Sequence, residues 1–196
     1  MFVNQILKFN IILYSDIKFK ENTMDLEQGL LTRRSIRQFI KGEKVKEADL
    51  HAILRAGMYA PSAMNRQPWE FVVVTDAEKL IKIMEAHQYC SYLSDAGTAI
   101  VICGNLHEQL ADNYWIGDCA AATENIMLAA HARGLGSCWG GIFPTLHRMD
   151  AISQILSLPP YIKPFALVAV GYPAVIPPPP PERFHQPKVH YNQYRW

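Results

Sequence analysis

None of the four cysteines, Cys90, Cys103, Cys119 and Cys138, forms a CxxC pair, and none stands at a metal-ligand spacing from any of the seven histidines. Neither a zinc site nor a redox dithiol is therefore expected. Cys103 and Cys119 lie inside apolar stretches and read as buried thiols, which fits a reducing cytoplasm. Charge of one sign is scarce too: 19 Lys and Arg against 18 Asp and Glu leave a formal net charge of +1. No global field draws nucleic acid or anionic lipid to such a chain, so any anion site must be local. Long apolar runs are also missing. Residues 2–14 are apolar but broken by Asn4, Gln5, Lys8 and Asn10, and no small-residue cleavage site follows, so neither a secretory signal nor a membrane span is expected. Residues 1–23 read as an extra helix or a disordered tail, or as a stretch ahead of a true start at Met24. Finally, there is no internal repeat and no dinucleotide-binding fingerprint, because Gly134 and Gly136 follow a helical stretch rather than a strand.

What is present is an ordinary globular composition, 196 residues with 49% hydrophobic and 19% charged, enough for one domain with a sizeable core. Helical spacing of Leu26, Leu30 and Leu31, and then of Leu50, Ile53, Leu54 and Met58, predicts two opening helices. The β-branched runs at 71–75 and 98–103 predict buried strands, and Asp76 caps a helix carrying Leu80, Ile81 and Met84. A long helix spans about 112–133, with small residues at 119–123 and Gly134 as its stop. That small-residue stretch lets another helix approach closely, in the core or at a subunit interface. A strand at 137–139, a helix with Leu146, Met149, Ile152 and Ile155, and a strand at 166–170 complete the domain at about residue 176. Five prolines from Pro177 to Pro181 then impose an extended spacer before a polar, aromatic tail to Trp196, whose Phe184, Tyr191, Tyr194 and Trp196 suit docking on protein. Strands separated by helices indicate an α+β sandwich not built from hairpins.

Three stretches carry candidate chemistry. Arg33, Arg34, Ser35 and Arg37 place three guanidinium groups and a hydroxyl at the end of the first helix, a donor set suited to phosphate. Taken alone, the segment reads more readily as a solvated basic helix end. Residues 60–69 form a loop bracketed by Pro61 and Pro68, in which the Asn65 and Gln67 amides offer both donors and acceptors to the edge of a flavin or base, or to neighbouring backbone. Residues 134–144 are glycine-rich, and Gly140 and Gly141 either let backbone N–H groups approach a planar ligand or merely make a tight turn.

In this order, with Asp118 on the small-residue helix and the VHYN segment in the tail, the three stretches resemble the FMN-dependent nitroreductase family over about residues 24–196. The resemblance implies an α/β sandwich with a central, mostly antiparallel sheet flanked by helices, in which two subunits interlock as a homodimer and build two FMN sites at their interface. On that pattern Arg33, Arg34, Ser35 and Arg37 hold the phosphate and ribityl chain, and Asn65 and Gln67 meet the flavin's polar side. Pro61, Ser62, Ala63 and Met64 come from the partner subunit. Gly140 and Gly141 pack beside the reactive ring nitrogen, and Arg183, or else Lys188, reaches the phosphate from the tail. The expected activity is transfer of hydride from NADH or NADPH through FMN to an electron-poor acceptor such as a nitroaromatic or quinone, in a ping-pong cycle. The alternatives are a family member with another substrate, in dehalogenation or flavin fragmentation, a non-catalytic flavin-binding protein, or a partner-binding protein that uses its proline run.

Other polar residues read as structural. Asp118 and Glu124 suit ion pairs that fix packing, and His51, His87, His107, His131 and His147 suit surface or satisfied core positions. Ser62 has no nucleophile elbow around it. Tyr89, Tyr92, Tyr114 and Trp115 fall where a substrate lid would lie, or else pack in the core.

Overall fold

The computed structural model describes residues 24–194, so the expectations for residues 1–23 and for Trp196 lie outside it. The β-branched runs pair as one antiparallel sheet of four strands, β1 (Trp69–Val74), β2 (Thr98–Asn105), β3 (Gly136–Gly141) and β4 (Ile162–Gly171), in the spatial order β1-β2-β4-β3. Phe71 faces Ile102, Val101 faces Leu167, and Cys138 faces Ala169, with a register shift between Ile102 and Cys103. β2 and β4 are central and buried on both faces, which is why they read as unbroken apolar runs rather than as alternations.

Helices cover both faces. On one lie α3 (Ala77–Ala86), the short α4 (Leu93–Ala96) and α6 (Leu146–Leu156), whose Leu80, Ile83, Leu93 and Ile152 pack with Val101, Cys103, Leu167 and Cys138. On the other lie α2 (Glu47–Met58) and α5 (Tyr114–Ala132), whose Ile53, Ala122, Ile126 and Met127 pack with Ile100, Ile102, Val168 and Val170. The sandwich is as expected, and α1 (Leu26–Thr32) packs outside it against α5. Asp76 caps α3 by accepting from the Lys79 N–H at 2.9 Å. Gly134, at φ 70°, ends α5 with its own N–H on the His131 carbonyl while Leu135 reaches Ala130. No helix among the described residues is long and apolar enough to cross a membrane.

Two details differ from expectation. The strand expected at 137–139 is present but longer: residues 136–141 form the edge strand β3 against β4, so Gly140 and Gly141 lie in the strand rather than in a turn after it. The lid aromatics divide. Tyr92 and Trp115 are buried in the two cores, whereas Tyr89 and Tyr114 are exposed. Trp115 lies against Phe143 and Phe165 and fills the place a side chain on Gly104 would occupy, where a Cβ would come within 2.3 Å of its ring. Backbone and indole are both fixed there, so Gly104→Ala should destabilise the fold by about 1–3 kcal/mol, as overpacking does. Thermal unfolding of the variant checks this; an unchanged Tm would mean that Trp115 moves freely.

Candidate functional site

The site grows from the outer edge of β3. After α1 the chain leaves at Arg33 and runs as a strap across the ends of β3 and β4. Ser35 bridges Ser137 in parallel, and the Ile36 N–H donates to the Ser137 carbonyl at 2.8 Å. Farther on, Phe39 bridges Pro173, and the Ile40 N–H donates to the Tyr172 carbonyl at 2.9 Å. Ile36 and Phe39 are buried, so the residues between them, Arg37 and Gln38, face out. Gly136 permits the close approach, since a Cβ there would stand 2.8 Å from the Ile36 side chain.

The strap covers only the beginning of the edge. The Ser137 carbonyl points away from β4, and alternation along a strand turns the backbone groups of Trp139 and Gly141 the same way. Gly140 is closed in, because a Cβ there would lie 2.6 Å from the Cys90 sulfur. Gly141 has nothing within 4 Å of that position and is exposed. An open backbone edge that ends in a bare glycine is a surface a flat ligand can approach.

The three arginines do not converge. Arg33 Nε lies 3.2 Å from Glu124 Oε1 on α5, and Arg34 donates to the Pro178 carbonyl of the tail. Arg37 is exposed on the strap, two residues past the Ser35 bridge to Ser137, and makes no hydrogen bond or ion pair among the described residues. It is therefore the guanidinium of the strap left for an outside anion. Arg183 lies away from this edge, in a hollow with Leu30, Leu31, Pro180 and Pro181, and Lys188 sits exposed in a 3-10 turn at Gln186–Lys188.

The 61–67 loop leads into β1, at the opposite edge of the sheet from β3. Three strand spacings, roughly 14 Å, separate those edges within one chain. The loop is one tied unit: Ser62 Oγ accepts from the Gln67 N–H at 3.0 Å, and Gln67 Nε2 donates to Asn65 Oδ1 at 2.9 Å. Met64, Asn65 and Gln67 all have positive φ, 49°, 54° and 51°. Three left-handed non-glycine residues cost roughly 1–3 kcal/mol each and persist only where surroundings impose them. Asp118 supplies one constraint, accepting from the Ala63 N–H at 2.9 Å; its Oδ2 is buried without a partner among the described residues. Asp118 thus holds a backbone turn rather than an ion pair, whereas Glu124 does form the expected ion pair.

At the end of β3 lies a histidine for which the sequence suits either a surface or a satisfied core position. His87 is 2% exposed, and its Nε2 stands 2.8 Å from the Gly141 carbonyl oxygen, so that nitrogen carries the proton. Its Nδ1, 3.3 Å from Cys90 Sγ, accepts from the thiol. Arg148 Nη1 donates to the same Gly141 carbonyl at 3.2 Å, and its guanidinium lies 5.5 Å over the Tyr89 ring. His87 is 54 residues from Gly141 along the chain and Arg148 only 7, but their shared partner is a backbone carbonyl, which no side-chain pattern in the sequence marks. Burial pushes the Cys90 thiol up and Cys103 up to about 12, so neither is a thiolate nucleophile.

Burial, and then the positive charge of Arg148, hold His87 below its ordinary value of 6.5; burial and Arg33 do the same for His131. The folded chain resists protonation at these rings, whereas the unfolded chain accepts it. Stability is then full above about pH 6.5 and falls as pH drops below it toward the lower folded values. Tm should decline between about pH 7 and pH 5.5, and less steeply in a His87→Gln/His131→Gln double variant. Equal slopes in both proteins would assign the acid sensitivity elsewhere.

Comparison with known proteins bears on the site. The nitroreductase family model matches residues 30–96 and 86–172. A protein of Methanothermobacter thermautotrophicus, provisionally named NADH dehydrogenase/NAD(P)H nitroreductase, is 39% identical over 155 residues, 79% of this chain and 81% of its own. The NADH dehydrogenase of Thermus thermophilus is 30% identical, covering 77% of this chain and 88% of its own. Among solved structures, an FMN-dependent nitroreductase from Clostridium difficile R20291 superposes with a TM-score of 0.78 at 31% identity, covering 85% of this chain and 98% of its own.

Proposed function

The chain belongs to the nitroreductase family, and from that premise we propose that it is an FMN-dependent oxidoreductase. It takes hydride from NADH or NADPH and passes it to an electron-poor acceptor such as a nitroaromatic or quinone. The observation that carries this reading is the outer edge of β3 beyond the strap, with the Trp139 backbone facing out, bare Gly141 at its end, and Arg37 on the strap without a hydrogen bond or ion pair among the described residues. These residues fit the cofactor. A planar ring needs room to lie against the backbone, which the missing side chain of Gly141 leaves, and the phosphate-bearing chain needs a guanidinium that is not already neutralised. FMN, when bound there, supplies the group that accepts and donates hydride.

The protein's own contribution is position and shelter. Gly141 lets the ring approach, the strap of residues 33–37 holds the ribityl and phosphate end, and Ser35 and Arg37 contribute donors. Arg33 and Arg34 act through the Glu124 and Pro178 contacts that fix the strap's course. Nicotinamide and acceptor occupy the same exposed ring face in turn, which is the basis of a ping-pong order. Tyr89 and Tyr114, the two exposed lid aromatics, suit a flat acceptor.

The second half of the site comes from a second copy of the chain. The 61–67 loop is tied as a unit at the far edge of the sheet, so Pro61, Ser62, Ala63, Met64, Asn65 and Gln67 travel together and reach the β3 edge of a partner. Supporting this, Leu26, Leu30 and Leu31 of α1 are exposed, and Met64 is 80% exposed. A groove of about 710 Å³ between α1, α2 and α5 is lined by Leu26, Gly29, Ala56, Leu128, Ala129 and Ala132. An apolar face of this kind is costly on a monomer and ordinary at a homodimer interface. In such a dimer the tail beyond the proline run, with Arg183 or Lys188, is free to lie over the neighbouring subunit and bring a cation to the phosphate.

The purified full chain should be yellow, or take up added FMN, and its visible flavin band should bleach when NADH or NADPH is added without oxygen. Bound flavin that resists both nicotinamides would make the protein a non-catalytic flavin binder. A colourless protein that takes up no FMN would overturn the proposal.

A further inference from the structure

Gly141 is the last residue of an edge strand and lies beyond the stretch that the 33–37 strap covers, with no side chain of its own to hold it. A glycine in that place has more backbone freedom than any other residue. Yet its carbonyl is held twice, by His87 Nε2 at 2.8 Å and by Arg148 Nη1 at 3.2 Å. On the far side the Ile142 and Phe143 N–H groups both donate to the Phe165 carbonyl, at 3.1 and 2.9 Å. The peptide that follows the open glycine is thus pinned from both directions.

His87 is itself placed by a buried chain of contacts. Cys90 Sγ lies 3.3 Å from its Nδ1 and 3.5 Å from the Tyr92 hydroxyl, and it occupies the space that a Cβ on Gly140 would need. Arg148 comes from α6 and is steadied by the Tyr89 ring. It makes no ion pair among the described residues, so its charge stands unneutralised at the end of β3. A hydrogen-bonded core histidine and a surface arginine would each be unremarkable alone; both converge on one carbonyl, and that carbonyl belongs to the one residue of the edge with an open face.

We propose that His87 and Arg148 are positioning residues for the hydride chemistry: together they fix the Gly141 carbonyl, and with it the β3 backbone edge that meets the flavin. The inference rests on the flavin lying at that edge. His87 acts by orientation alone, since its neutral ring donates one hydrogen bond to the carbonyl. Arg148 acts by orientation and by charge, because a cation near a redox ring favours its electron-richer form. Neither residue touches the acceptor.

The test uses the full-length FMN-loaded protein and three variants, His87→Leu, His87→Gln and Arg148→Met, with the FMN dissociation constant and the flavin midpoint potential as readouts. Leucine removes the donor, whereas the glutamine amide nitrogen reaches about as far as Nε2 and restores it. Loss of one such hydrogen bond should weaken FMN binding roughly three- to tenfold in His87→Leu, with His87→Gln near wild type. Arg148→Met should also weaken binding and shift the potential to a more negative value. Should His87→Leu fail to fold, Arg148→Met and His87→Gln still decide the matter, because Arg148 is only half-buried and glutamine is close to isosteric in reach. Wild-type affinity and potential in all variants that fold would overturn the inference while leaving the flavin site intact. A wild-type chain that binds no FMN would overturn both together.

Discussion

A single backbone hydrogen bond, from the Ile36 N–H to the Ser137 carbonyl, decides what this fold can do. It seats the strap after α1 against the first half of β3, buries Ile36 in the notch that Gly136 leaves, and turns Arg37 outward. Because the strap then passes on to Tyr172 and Pro173, it leaves the second half of the edge uncovered. An exposed sheet edge is ordinarily a liability that proteins cover or charge. On the proposed reading a flavin would give the gap a purpose: its polar rim would stand where a further strand is missing, and its phosphate would meet the guanidinium that the strap carries.

The sheet order constrains everything else. With β1 and β3 at opposite edges, the loop before β1 and the glycines of β3 cannot share a site within one chain, although both have the chemistry for the same ligand. In the proposed homodimer two copies related by symmetry would solve this, since each would bring its loop to the other's strand. The strained backbone at Met64, Asn65 and Gln67 fits that account. A loop with three left-handed residues, held by Asp118 and by its own side chains, is kept in a shape its own subunit does not otherwise need.

Much of the fold was legible in the sequence because its cues are local. The runs 71–75 and 98–103 are β-branched and apolar enough to be strands in any context, Asp76 stands where a cap must stand, and Gly134 stops the long helix in the left-handed conformation it was expected to adopt. The strand at 137–139 was legible, but its full extent over 136–141 was not: glycine disfavours strands, and only pairing with β4 carries the strand through Gly136, Gly140 and Gly141. Of the site residues, Arg37, Asn65, Gln67 and Gly141 carried their chemistry in their type and motif. The commitments of Arg33 to Glu124 and of Arg34 to Pro178 are set by long-range packing, 91 and 144 residues apart along the chain. The roles of His87 and Arg148 were not legible for a different reason: their common partner is a backbone carbonyl that no side-chain pattern reports.

The central claim is that each flavin site joins the β3 edge of one subunit to the 61–67 loop of another, and mixed dimers test it most directly. Gly141→Val disables the edge where space for a side chain exists, and Asn65→Ala/Gln67→Ala disables the loop. Each homodimer should bind FMN poorly. A dimer with one chain of each kind recombines an intact edge with an intact loop, and it should hold one FMN tightly per dimer. Mixed dimers that bind no better than either parent would contradict the account and put both halves of the site in a single chain.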